Sequence, residues 1–171
     1  MNKYYFEDEE KVAQLGRILP TWLGTPHRHH CGVKGLGTDC IHFVGRVLEE
    51  MDIVKWRKNF VSDYPRDWHL HNTRELLMEK LVAEVPGEVV GLNDLKDGDI
   101  ILSHYGQAAS HAAIYYQGYA WQALDGIGVV KINISDRAAK RQMKYAYRIF
   151  TPLEATTSKA GQGARLRDES R

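Results

Sequence analysis

The chain has 171 residues, 43% hydrophobic and 26% charged, the make-up of a single globular domain whose core needs no metal or disulfide staple. Its 23 Lys and Arg against 22 Asp and Glu leave a formal charge of +1, which exerts no global pull toward nucleic acid or an anionic membrane. No apolar run is long enough to span a bilayer, and the acidic start MNKYYFEDEE lacks the apolar core of a secretory signal, so the expected place of synthesis is the cytoplasm, and the site of action can differ from it.

Residues 8–19 (DEEKVAQLGRIL) read as an amphipathic helix, with Val12, Leu15, Ile18 and Leu19 at helical spacing and Pro20 as its stop. A Gly- and His-rich loop follows over 21–37. A second helix is expected from Thr38 and Asp39, with Thr38 as N-cap and Asp39 at the positive end of the dipole. Ile41, Val44, Val47, Leu48 and Met51 form its apolar stripe. Residues 52–71 look irregular, anchored by Trp56, Phe60, Tyr64 and Trp68. A third helix is expected over 73–85, opened by Asn72 and Glu75 and stopped by Pro86-Gly87.

The texture then changes. Asp97-Gly98 is a turn signal before the strand DIILSH, and SHAAIYYQ, YAWQAL, GIGVVKIN and MKYAYRIF read as further strands, with a helical turn at SDRAAKRQ. Helices followed by an antiparallel sheet indicate an α+β domain over 1–151. Apolar residues thin out over 152–171, which is read as a disordered tail.

Of the two cysteines, Cys40 falls in the first turn of the second helix, where unpaired N–H groups and the dipole favour a thiolate and can receive an oxyanion. Its ordinary alternative is a small buried apolar residue. Of the eight histidines, His111 opens an alternating strand beside the small Ala112 and Ala113, whereas the rival His104 ends its strand and is expected to be exposed. A base needs a third group to fix its ring, and Gln122, eleven positions on in the next strand, can accept from an imidazole N–H.

In this order the pieces resemble the NlpC-type cell-wall cysteine peptidases. Gly24-Thr25-Pro26-His27 and Gly35-Leu36-Gly37-Thr38-Asp39-Cys40 are similar to that family's loop and helix start. Leu95-Lys96-Asp97-Gly98-Asp99 looks like its strand entry, Ser110-His111-Ala112-Ala113 like its base-bearing strand, and Trp121-Gln122-Ala123 like its third-residue strand. Tyr64-Pro65-Arg66-Asp67-Trp68-His69-Leu70-His71 resembles a segment of the phage-associated branch. The likeness covers about residues 10–150. His27 stands where the family usually has Tyr, and Ile41-His42 where it has Ser-Gly.

The resemblance implies a papain-like fold with N-terminal helices on a central antiparallel sheet. It implies no cofactor or metal, and Cys40, His111 and Gln122 as catalytic residues. His27, Asp39 and Ser110 would line the substrate and oxyanion region. The implied partner is the peptide stem of peptidoglycan, cut between D-glutamate and a diamino acid, with other phage tail proteins as further partners and the cell wall or a virion as place of action. Three rivals stay open. One is a zinc site drawn from His27, His29, His30, Cys31, Cys40 and His42. The others are the same fold acting on another amide or ester, and a catalytically silent tail component.

Overall fold

A computed structural model describes residues 2–55, 76–104 and 109–152. The aromatic anchors at 56–68, the phage-like segment, the Asn72 and Glu75 cap and the tail from Leu153 onward lie outside the described residues.

Helix α1 (Glu9–Ile18) starts at Asp8, whose carboxylate accepts the Glu10 N–H at 2.9 Å. Pro20 does not stop the chain there. It sits in the first turn of a tight 3-10 segment, Leu19–Trp22, because a proline without an N–H is tolerated at a helix start. This carries Leu19 and Trp22 into the core beside Leu15. Helix α2 (Cys40–Glu50) follows two short strands, β1 (Gly32–Val33) and β2 (Gly37–Thr38), which turn part of the expected loop into a hairpin. The N-cap is Asp39, not Thr38: Asp39 has extended backbone angles and its Oδ1 accepts the His42 N–H. Thr38 is instead spent on β2 pairing. All five residues of the expected α2 stripe are buried. Each such side chain is worth roughly 1.5–3 kcal/mol on leaving water. Helix α3 (Leu76–Glu84) buries Leu77 and Leu81 against the same core.

The sheet has six antiparallel strands: β3 (Gly87–Val90), β4 (Ile100–His104), β5 (Ala109–Tyr116), β6 (Tyr119–Leu124), β7 (Gly128–Asn133) and β8 (Met143–Ile149), in the order β3-β8-β4-β5-β6-β7. The α+β reading holds. Strand β3 was not expected after Pro86-Gly87; it forms because β8 offers a free edge, pairing Val90 to Ala146 and Gly87 to Ile149. Helix α4 (Arg137–Gln142) is capped by Asp136, whose Oδ1 accepts from Ala138 and Ala139.

Alternation divides the sheet. Ile100, Leu102, Ala112, Ile114, Trp121 and Ala123 face the helices, and Ile101, Ala113 and Ala120 form a smaller cluster on the other side with Tyr115 and Met143. Gly16 lets α1 approach β5, since a Cβ there would meet the Tyr116 hydroxyl. Among the described residues no helix is long and apolar enough to cross a membrane.

Candidate active site

Two departures from regular structure build the site. First, β5 pairs with β4 along most of its length, from Ile114 to Ala109, but with β6 over only three positions, Ile114 to Tyr116. Beyond Ile114 the two strands part. Second, the N-terminus of α2 comes in from the helical side and meets β5 where it has left β6. Cys40 Sγ lies 4.0 Å from the Ser110 carbonyl oxygen. Gln122 remains in register with Val130 of β7. A side-chain bond takes over where the backbone ladder ends: His111 Nε2 lies 2.6 Å from Gln122 Oε1, both residues being buried.

That bond fixes the histidine tautomer. An amide oxygen can only accept, so Nε2 carries the proton and Nδ1 holds the lone pair. Cys40 is the first helical residue after its Asp39 cap, where backbone N–H groups have no partner within the helix.

The electrostatics differ from the expectation for a helix start. Burial, and after it the Asp39 carboxylate, push the Cys40 thiol up to about 12, while the backbone N–H groups of Ala112, Ile41 and Cys40 pull it down. The helix-start effect is present but outweighed, because withdrawal from water penalises the charged sulfur more. Burial also takes His111 down to about 4, opposed by the Gln122 bond and reinforced by the His27 ring. The resting groups are therefore a neutral thiol and a neutral imidazole.

The surrounding residues hold this arrangement. Asp39 is buried and committed on both oxygens: Oδ1 meets the His42 N–H and Nδ1, each at 2.9 Å, and Oδ2 accepts the His30 N–H at 2.8 Å. It thus staples the histidine-rich loop to the start of α2. Ser110 presents its backbone carbonyl to the sulfur. His27 is held from two sides. Thr38 and Pro26–Arg28 exchange backbone bonds at 2.9 and 3.0 Å, and Val129 of β7 bonds Gly24 and Thr25 at 3.0 and 2.9 Å. Gly128 makes this possible: its φ is +104°, and a Cβ would strike the Thr25 carbonyl. The His27 Nδ1 reaches Asp125 Oδ1 at 3.2 Å. Of the pair that replaces Ser-Gly, Ile41 enters the core and His42 turns to Asp39.

His104 is half-buried rather than exposed, at the end of β4 where it pairs with Ala109 of β5; among the described residues its Nε2 is buried without a hydrogen-bond partner. Both cysteines are free thiols. Among the described residues no three His, Cys, Asp or Glu side chains converge to hold a metal ion, although His29 and His30 stack with centroids 3.8 Å apart.

No protein-family profile matches the chain, and no curated protein does. Solved structures do. A lipoprotein-like protein of the NLP/P60 family from Staphylococcus aureus superposes with a TM-score of 0.61 at 18% identity, over 88% of this chain and 44% of that one. This chain has the NlpC/P60 fold. The peptidoglycan hydrolase RipB of Mycobacterium tuberculosis shares it with a TM-score of 0.54 at 16% identity, over 84% of this chain and 67% of that one. The NlpC/p60 domain of the peptidoglycan hydrolase SagA shares it with a TM-score of 0.51 at 18% identity, over 79% and 96%. The chain thus spans under half of the staphylococcal protein and nearly all of the SagA domain. NlpC/P60 domains are papain-like, and the helices-on-sheet arrangement expected from the sequence is the one observed.

Proposed function

We propose that the protein is a cysteine peptidase that hydrolyses an amide in the peptide stem of peptidoglycan, with Cys40 as nucleophile, His111 as base and Gln122 as the group that orients it. The observation carrying this reading is the 2.6 Å His111–Gln122 bond at the point where β5 leaves β6 and receives the start of α2. The peptidoglycan hydrolases among proteins of the same fold supply the substrate class. The bond cut is the one between D-glutamate and a diamino acid, and the place of action is the cell wall, reached as part of a phage or phage-like tail. Those two finer statements rest on the sequence resemblance.

The chemistry follows from a neutral resting pair. As Sγ attacks the carbonyl carbon, its proton passes to the Nδ1 lone pair of His111 and the carbonyl π pair moves onto oxygen. Burial penalises each isolated charge, so proton transfer is coupled to attack. The N–H of Cys40 at the helix start receives the oxyanion. The imidazolium, steadied through Nε2 by Gln122, protonates the leaving amine. His111 then deprotonates the water that cleaves the thioester and restores the thiol. Asp39 and Ser110 position the sulfur, and His27 lines the approach.

Digestion of purified peptidoglycan, with mass spectrometry of the new termini, tests this. Free D-glutamyl carboxyl and diamino-acid amine termini are expected with the wild type and absent with Cys40→Ala. Their absence with both proteins would leave the silent-component reading.

A further inference from the structure

Asp39 is buried beside Cys40, and a carboxylate leaves water at a high cost unless its oxygens are met. Histidines meet it. The ring Nδ1 and the backbone N–H of His42 each lie 2.9 Å from Oδ1, the His30 N–H lies 2.8 Å from Oδ2, and the His29 Nδ1 lies 3.9 Å from Oδ2. A carboxylate oxygen accepts, so the His42 ring donates from Nδ1. The backbone N–H alone would satisfy the helix cap, and the ring adds a second donor to the same oxygen. The fold makes room for that ring. The His42 side chain is 12% exposed, and β1 lies against it: a Cβ on Gly32 would come within 3.0 Å of the His42 Cβ and 3.3 Å of its Cδ2. Arg46, one turn on in α2, ties β1 down by donating from Nε to the Gly32 carbonyl at 3.0 Å. His30 takes a left-handed φ of +56° beside Asp39, a conformation that costs a non-glycine residue energy.

We propose that His42 is a positioning residue for the reaction: its ring fixes the Asp39 carboxylate against the histidine loop and takes up part of its charge, so that the adjoining Cys40 can give up its proton as it attacks. The inference rests on the Cys40 nucleophile of the reading above. The titratable groups around the pair are His29, His30 and Cys31 of the loop, Arg46 of α2 with its partner Glu49, and on the sheet His111, which His27 influences. Of these charges it is Asp39 that opposes a thiolate at Cys40, second to burial. A donor that holds the carboxylate therefore acts on the sulfur without touching it.

Iodoacetamide alkylation of Cys40, followed by peptide mapping so that Cys31 is counted separately, reads the thiol without turnover. It can therefore contradict the inference while the peptidase reading stands. His42→Phe keeps a ring and drops the donor, so Cys40 should alkylate roughly three- to tenfold more slowly at about pH 8, with its rate–pH profile displaced upward. His42→Asn, whose amide N–H takes the place of Nδ1–H, should bring the rate to within about twofold of wild type. In an Asp39→Asn background, which lacks the charge, His42→Phe should change the rate by less than about twofold. An equal loss in both backgrounds would show a packing role and overturn the inference. So would unchanged or faster alkylation in His42→Phe, or a loss in His42→Asn as large as in His42→Phe. If His42→Phe does not fold, His42→Ala, which adds no bulk, carries the same comparison in both backgrounds with the same outcomes.

Discussion

At the scale of single residues, burial is the first influence on the charge states of Cys40 and His111. His111 is held at about 4, below its ordinary 6.5, so its ring keeps the lone pair that the proposed base role needs well into acid. The acid limb of kcat/KM is therefore expected near pH 4, and a limb near 6.5 in a pH–rate profile would show that His111 is not the base. The same shift acts on stability. The folded value is depressed, so the contribution is complete above pH 6.5 and is lost as pH falls through about 4. It amounts to roughly 3 kcal/mol. Urea unfolding of His111→Gln should show a flatter pH dependence in that window. Gln122→Leu, which removes the acceptor at 2.6 Å, is expected to lower kcat by roughly 10²-fold with little change in KM. Asp39 offers a separate handle, because its charge is the second cause of the raised Cys40 thiol. Asp39→Asn keeps an N-cap acceptor but removes the charge, so Cys40 should alkylate with iodoacetamide at a lower pH than in the wild type. An unchanged alkylation profile would remove Asp39 from the electrostatics of the site.

At the scale of elements, the helices and inner strands were legible because their burial follows a simple period. The α2 stripe from Ile41 to Met51 and the strand YAWQAL appear as read. What escaped depended on partners distant in sequence. Strand β3 needs the edge of β8, and the β1–β2 hairpin needs the clamp around His27. Composition at 87–90 or 32–38 carries no trace of either partner. The N-cap moved from Thr38 to Asp39 for the same reason, since Thr38 is engaged by strand pairing. The nearness of Asp39 to the sulfur was visible in the sequence. Its dominance with burial over the helix-start effect was not, because burial is a property of the packed fold. Gly128 tests the clamp. Gly128→Ala must strain a φ of +104° and press on the Thr25 carbonyl, so it should cost more than about 1 kcal/mol in thermal unfolding. A neutral effect would mean that the loop is not held as described.

At the scale of the whole molecule, a buried ion pair ties the sheet to the segment that enters it. Arg148 of β8 donates from Nε and Nη2 to the two oxygens of Asp99 at 2.9 and 2.8 Å, and from Nη1 to Asp94 at 3.0 Å. The Asp99 bond, foremost, raises the guanidinium pKa, and Asp99 also accepts the Lys96 N–H. Removing Asp99 leaves the buried guanidinium with only the largely exposed Asp94 as its counter-charge, so Asp99→Leu should lose about 3–5 kcal/mol in chemical unfolding. That network explains why Asp97-Gly98-Asp99 could be read as a strand entry: the turn glycine and the buried carboxylate are both required there. The proposed pairing of Cys40 with His111 is tested most directly by trapping. A stem-peptide analogue with a vinyl sulfone in place of the scissile amide should form an adduct that peptide mapping places on Cys40, at a rate that collapses in His111→Ala. Labelling confined to Cys31, or labelling of Cys40 that is indifferent to His111, would contradict the account.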